Sequence, residues 1–202
     1  MLAMSLGAFG IGTTEFVSMG LLSMIAQDFQ ITEDTAGVII TSYALGVVVG
    51  APLITALTGR VPRRRLLLLL MAAFTIGNGL SVFATNYETL VVARFIAGLP
   101  HGAYFSVAGL AAASMAPIAQ RGRAVAFITM GLSVATVIGV PAAQALGAAL
   151  GWPAAYGLVA TIGLATAVLL WFLMPHMTQM RPTNPRTELG ALKRSQVWLT
   201  LA

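Results

Sequence analysis

LTGRVPRRRLLLLL, Leu57 to Leu70, puts four arginines within six positions (Arg60, Arg63, Arg64 and Arg65) directly against five leucines. A cationic cluster running into an unbroken apolar stretch is what a chain needs where it leaves an aqueous surface and enters hydrocarbon. The arginines keep their hydration, and the leucines escape it.

The whole chain has this character. Of its 202 residues 58% are hydrophobic and only 8% are charged, with a mean hydropathy of +0.89. Soluble domains are about a quarter charged. Apolar runs of the roughly 20 residues needed to cross a bilayer recur from end to end, which predicts a polytopic membrane protein. The net charge of +5 is not laid out as a nucleic-acid surface, because no long basic stripe with interleaved aromatics occurs. Without cysteine there is no disulfide framework and no thiolate chemistry. No paired carboxylates, metal-spaced histidines or Ser-His constellation suggest an enzyme, and no cofactor or metal is expected. The first apolar run lacks a basic leader and contains Glu15, so it is not read as a cleaved signal peptide.

Six spans are predicted, at about 2–25, 35–57, 66–84, 89–113, 124–150 and 154–174, with the GWP stretch at Gly151 to Pro153 as a tight turn before the last. The expected organisation is a six-span bundle over 1–174, a polar linker over 175–196, and the start of a seventh span over 197–202. The linker is assigned from its three prolines, polar residues and basic or histidine side chains.

Counting cations by loop explains the arginine cluster. All basic residues except Arg94 fall after spans 2, 4 and 6, whereas Asp28, Glu33, Asp34 and Glu88 fall after spans 1 and 3. By the positive-inside rule the even-numbered loops and the amino terminus are cytoplasmic, in the plasma (inner) membrane of the cell.

Within the spans, small residues recur at four-residue spacing: Gly46 and Gly50, Gly98 and Gly102, and Gly131, Ala135 and Gly139. This predicts close helix crossings and hence a compact bundle. Three ionisable side chains, Glu15, Arg94 and His101, also lie inside spans. Each is costly at membrane depth and should face a partner or a wet cavity. A lone carboxylate such as Glu15 suits a proton or cation site. Arg94 and His101, seven residues apart, share one face of span 4 about 10 Å along the axis; either can equally be a structural group. Ionisable groups confined to spans 1 and 4 suggest two three-helix repeats, which three being odd must lie in inverted topology.

With these residues assembled, a family resemblance emerges. TALTGRVPRRRLL, between spans 2 and 3, resembles the cytoplasmic loop motif of the major facilitator superfamily, with Leu57, Arg60, Arg63, Arg64, Arg65 and Leu67 matching. LVVARFIAGLPHG resembles its span-4 motif through Leu90, Arg94, Gly98 and Gly102. ATVIGVPAAQALG is similar to the span-5 antiporter motif through Ala135, Gly139 and Pro141, and with GTTEFVSMGLL the chain is similar to the arabinose-efflux-permease-like drug:proton antiporters. The motif's aspartate is Gly59 here and its glycine is Pro62, so the charge latch that depends on that aspartate does not carry over. Val140 separates the antiporter motif's glycine from Pro141, leaving Gly139 and Pro141 as an expected hinge.

The resemblance implies an all-α half of a twelve-span fold, the amino-terminal one, whose missing carboxyl-terminal half would be its partner. It also implies export of small organic molecules coupled to protons by alternating access. Glu15, Arg94 and His101 are then the proton-coupling candidates, since a cavity that changes the hydration of Glu15 and its distance from Arg94 can load and release a proton. Tyr43, Asn78 and Gln144 are candidates for hydrogen bonds to substrate, with helix-to-helix contacts an equal alternative. A non-transporting scaffold or partner subunit, or a half-transporter pairing with itself, are the other readings.

Overall fold

The computed structural model describes residues 1–175. Among them are six helices long and apolar enough to cross a membrane: α1 (Leu2–Phe29), α2 (Glu33–Thr58), α3 (Arg63–Val82), α4 (Tyr87–Met115), α5 (Ile118–Leu150) and α6 (Trp152–Leu173). The expected linker and seventh span, from residue 176 onward, lie outside the described residues.

The spans agree with the hydropathy reading in number and order, and differ at their ends. Helix α1 runs four residues past the expected Ile25, because the polar AQDF stretch continues the helix until Gln30 enters the left-handed region (φ 54°) and closes onto the Ala26 and Gln27 carbonyls. Hydropathy marks the edge of the hydrocarbon; the helix stops at its cap. On that side of the bundle the helix starts are well made. Thr32 accepts from the Thr35 amide at 3.2 Å, and Glu33 and Asp34 occupy the following turn. Asn86 and Thr89 form a reciprocal capping box, with Glu88 inside it. Acids there complement the positive end of the helix dipole. Gly151, at φ 92°, makes the GWP turn that the sequence predicts, in a conformation that L side chains rarely adopt. Next to it, the Trp152 indole donates to Asp28 Oδ2 at 2.8 Å and ties α6 to the end of α1.

The opposite side is built against local preference. Arg63, Arg64 and Arg65 fill the first turn of α3 behind an N-cap proline, where the dipole favours acids. Arg64 offsets this by donating to the Trp171 carbonyl near the end of α6, with its guanidinium 5.6 Å from the Trp171 ring. A cation is thereby placed on the negative end of a neighbouring helix. Arg60 and Arg65 are exposed.

Packing follows the small residues. Helix α1 lies against α5 and α6, α4 lies against α2 and α3, and α3 lies against α6. Exchanging α1 with α4, α2 with α5 and α3 with α6 maps this set of contacts onto itself, as two inverted three-helix repeats require. Two apolar clusters fill the interior. One surrounds Met4, Leu67, Phe74 and Tyr104 towards the arginine-bearing side, and the other surrounds Val17, Leu21, Leu90 and Trp152 towards the acidic side. The polar residues described next lie between them along the helices.

Candidate functional site

Arg94 is fully buried, two turns into α4. Its Nη1 donates to Thr14 Oγ1 at 2.9 Å and to Asn78 Oδ1 at 3.4 Å, and its Nη2 donates to the Thr14 carbonyl at 3.0 Å. The Thr14 hydroxyl in turn donates to Asn78 Oδ1 at 2.6 Å, and the Asn78 amide donates to the Phe74 carbonyl at 2.9 Å. Two aromatic rings complete the enclosure, with the guanidinium carbon 4.5 Å from the Tyr43 centroid and 4.9 Å from that of Tyr156. Hydrogen bonds to a charged group contribute about 1.5–3 kcal/mol each and a desolvated cation–π contact about 2. Such a set offsets the cost of holding the charge away from water. Among the described residues, the Arg94 Nε has no hydrogen-bond partner.

Glu15 is one residue along α1 from Thr14 but points elsewhere. Its side chain is 34% exposed, and Oε2 lies 4.0 Å from His101 Nε2. The other imidazole nitrogen, Nδ1, shares a hydrogen bond with the Tyr43 hydroxyl at 2.9 Å. The His101 ring also packs on Phe105, with centroids 5.4 Å apart. Glu15, His101, Tyr43 and Arg94 share a cleft of about 270 Å³ whose other walls are Phe16, Met19, Ile40, Ala44, Val47 and Val48. Helices α1, α2 and α4 supply every one of these lining residues.

The structure therefore brings Glu15, His101, Arg94 and Tyr43 together and separates the remaining candidates. Asn78 is fully buried, so it belongs to the packing around Arg94 and not to the open cleft. Gln144 is half-buried on α5 and absent from the cleft wall; it lies over Gly20 of α1, where an added Cβ would come within 1.9 Å of its Nε2. Of the two environments expected for Arg94, a partner or a wet cavity, the structure supplies partners, from α1, α2, α3 and α6. The Arg94 contacts run to Thr14, Asn78 and the two tyrosines, while the side chain facing Glu15 is His101. Thr14 and Tyr156 were not singled out in the sequence. Thr14 carried a signal, a polar residue beside the span's one acid, whereas Tyr156 carried none beyond being a tyrosine in an apolar run.

The expected hinge has a definite geometry. Residues Ala135–Gly139 form a π-helical turn within α5, and Pro141 follows in the next turn. Gly131, Ala135, Gly139, Ala143 and Gly147 are all buried. Residues four apart drift around an ordinary α-helix, and one wider π turn brings them back to the face that meets α1. Pro141, lacking an amide, sits where the regular ladder is already interrupted.

A model of the major facilitator superfamily matches residues 4–202. The chain belongs to the major facilitator superfamily. The inner membrane transport protein YdhP of Escherichia coli strain K12 is 44% identical over 98% of this chain and 51% of its own length. A chloramphenicol resistance protein of Streptomyces lividans is 36% identical over 95% of this chain and 50% of its own. The fold is similar to the xylose transporter XylE from E. coli in a partially occluded inward open conformation. The TM-score is 0.77 at 17% identity, over 97% of this chain and 56% of that one. The chain spans about half the length of the curated relatives it matches. Six apolar helices in this superfamily make it a multi-pass membrane protein, and its structure is that of one six-helix half of the superfamily's fold.

Proposed function

We propose that this chain forms the amino-terminal half of a proton-coupled exporter of small organic molecules, operating by alternating access with a second six-helix half. The observation that carries the reading is the pairing of Glu15 with His101 in an apolar cleft beside an arginine held separately by neutral hydrogen-bonding and aromatic partners. A carboxylate that served only to balance Arg94 would sit on it. Glu15 instead faces the cleft and a second titratable group, where a change of hydration on opening or closing alters its affinity for a proton. The export direction follows the drug-resistance relative and the antiporter-like motif around Gly139 and Pro141. The cleft side of α1, α2 and α4 is the surface a second half would cover. On this reading the segments 175–196 and 197–202 are assigned from their sequence as the linker to that half and the start of its first span.

The test is Glu15→Gln in the full-length transporter, which keeps size and hydrogen bonding but removes titration. Proton-driven export should fall to background while substrate binding survives. Normal export with a normal pH profile would make the carboxylate structural and end this reading. The cytoplasmic placement of the arginine side is checked separately. Single cysteines at Gln30 and Asn86 should react with a membrane-impermeant thiol reagent in intact cells, and one at Gln120 should not; the reverse pattern inverts the orientation.

A further inference from the structure

Arg94 is held by one tyrosine from each three-helix repeat, and the two tyrosines are anchored differently. Tyr156 of α6 is fully buried, and its hydroxyl shares a hydrogen bond with Ser18 of α1 at 3.0 Å. Tyr43 of α2 is 4% exposed, and its hydroxyl is engaged by His101 Nδ1. Its partner is a titratable group whose other nitrogen faces Glu15. Tyr43 thus spans two turns of α4, with its ring on Arg94 and its hydroxyl on His101. It is the group that touches both the buried cation and the proton-bearing pair.

We propose that Tyr43 is a positioning residue for proton coupling, transmitting the protonation state of the Glu15–His101 pair to Arg94, while Tyr156 is the fixed side of the clamp. This deepens the reading of the chain as half of a proton-coupled transporter and rests on it. A neutral His101 accepting from Tyr43 at Nδ1 carries its proton at Nε2, towards Glu15. A ring protonated at both nitrogens donates to the Tyr43 oxygen instead. The hydrogen bond reverses, and the phenol whose face rests on Arg94 is the group that must accommodate it. The titratable and charged groups around His101 are Glu15 from α1, Tyr43 from α2 and Arg94 on α4 itself. Among the described residues, Asn78 of α3 and Tyr156 of α6 touch Arg94 but are not on the cleft wall, and α5 contributes nothing to that wall.

Tyr43→Phe in the full-length transporter keeps the ring on Arg94 and deletes the hydroxyl. The pH midpoint of export should move by at least about half a unit, a threefold change in apparent proton affinity, with the KM for substrate changing less than twofold. Tyr156→Phe, which deletes the hydroxyl on the other face, should cost stability and leave the midpoint in place. A raised KM with an unmoved midpoint would make Tyr43 a substrate contact and overturn the proposal. So would equal responses from the two phenylalanine variants, or no response from Tyr43→Phe. Should Tyr43→Phe fail to insert, His101→Asn examines the same link, keeping a partner for the Tyr43 hydroxyl but not its titration. Its pH profile should flatten, and an unchanged profile overturns the proposal. Failure of the underlying reading is recognised independently, by Glu15→Gln exporting with normal pH dependence.

Discussion

The α2–α4 crossing and the α1–α5 crossing are equivalents under the exchange of repeats, and they solve the same packing problem with different tolerances. In the first, backbone meets backbone. A Cβ at Gly46 would lie 2.3 Å from the Phe95 carbonyl oxygen, at Gly50 2.1 Å from that of Leu99, and at Gly98 2.2 Å from that of Tyr43. In the second, only Gly131 meets a backbone oxygen at comparable range, 2.3 Å from that of Ser5. Gly12 there faces the Leu132 and Ala135 side chains, and Gly139 faces the Thr13 hydroxyl and the Phe9 ring. Prolines occur at both crossings, Pro52 and Pro100 at the first and Pro141 at the second, but among the described residues the π turn belongs to the α1–α5 crossing alone. Two repeats built alike have diverged into a rigid seam and a more deformable one. The deformable seam lies on α1, the helix that carries Thr14 and Glu15. Close backbone approach is how helices associate in lipid, where no hydrophobic gain drives them together. Side-chain contacts at the same place can adjust by changing rotamer, which backbone contacts cannot.

Gly98→Ala should break this comparison most severely. Its methyl would be driven into the Tyr43 carbonyl, and neither backbone can withdraw without separating α2 from α4. Overpacking of this kind costs about 3 kcal/mol or more. The protein should be recovered poorly from membranes and melt well below the parent in detergent; a parental melting curve would show that the α2–α4 seam is not rigid. A smaller effect is expected from Gly139→Ala. The nearest atom is the Thr13 hydroxyl at 2.2 Å, which can give up its 2.8 Å bond to the Phe9 carbonyl and rotate away. A loss of about 1–2 kcal/mol should appear in the same assay. If Gly139→Ala proved as damaging as Gly98→Ala, the difference between the two seams would disappear.

Much of the fold was readable because its causes are local. Removing a peptide segment from water depends on the composition of that segment, so six spans and their order follow from hydropathy alone. The four-residue spacing of Gly46 with Gly50, Gly98 with Gly102, and Gly131 with Ala135 and Gly139 marked both crossings, since small side chains are useful in a span chiefly where another backbone approaches. Helix ends were less legible. The extension of α1 to Phe29 depends on the left-handed conformation of Gln30, and hydropathy carries no information about it.

The site divides along the same line. Glu15, Arg94 and His101 were conspicuous because an ionisable side chain in hydrocarbon is costly wherever it sits. Their partners were not conspicuous. Thr14, Asn78 and Tyr156 are polar residues of modest cost, and each has many ways to be satisfied within a bundle. Asn78 and Gln144 looked like cleft residues for the same reason, and only the rotation of α3 and α5 about their own axes turned them away from it.

What the sequence by itself determined, then, was how many times the chain crosses the membrane, which loops carry the arginines, and which three side chains require an explanation. Those are properties of single segments meeting water or lipid. The tertiary structure decided the pairing: that Glu15 faces His101 and not Arg94, that Arg94 lies between Tyr43 and Tyr156, and that the α5 face is kept in register by a π turn. Each depends on helix rotation and approach distance. Those quantities are set by many weak contacts from segments far apart in the chain, and no one of those segments specifies them.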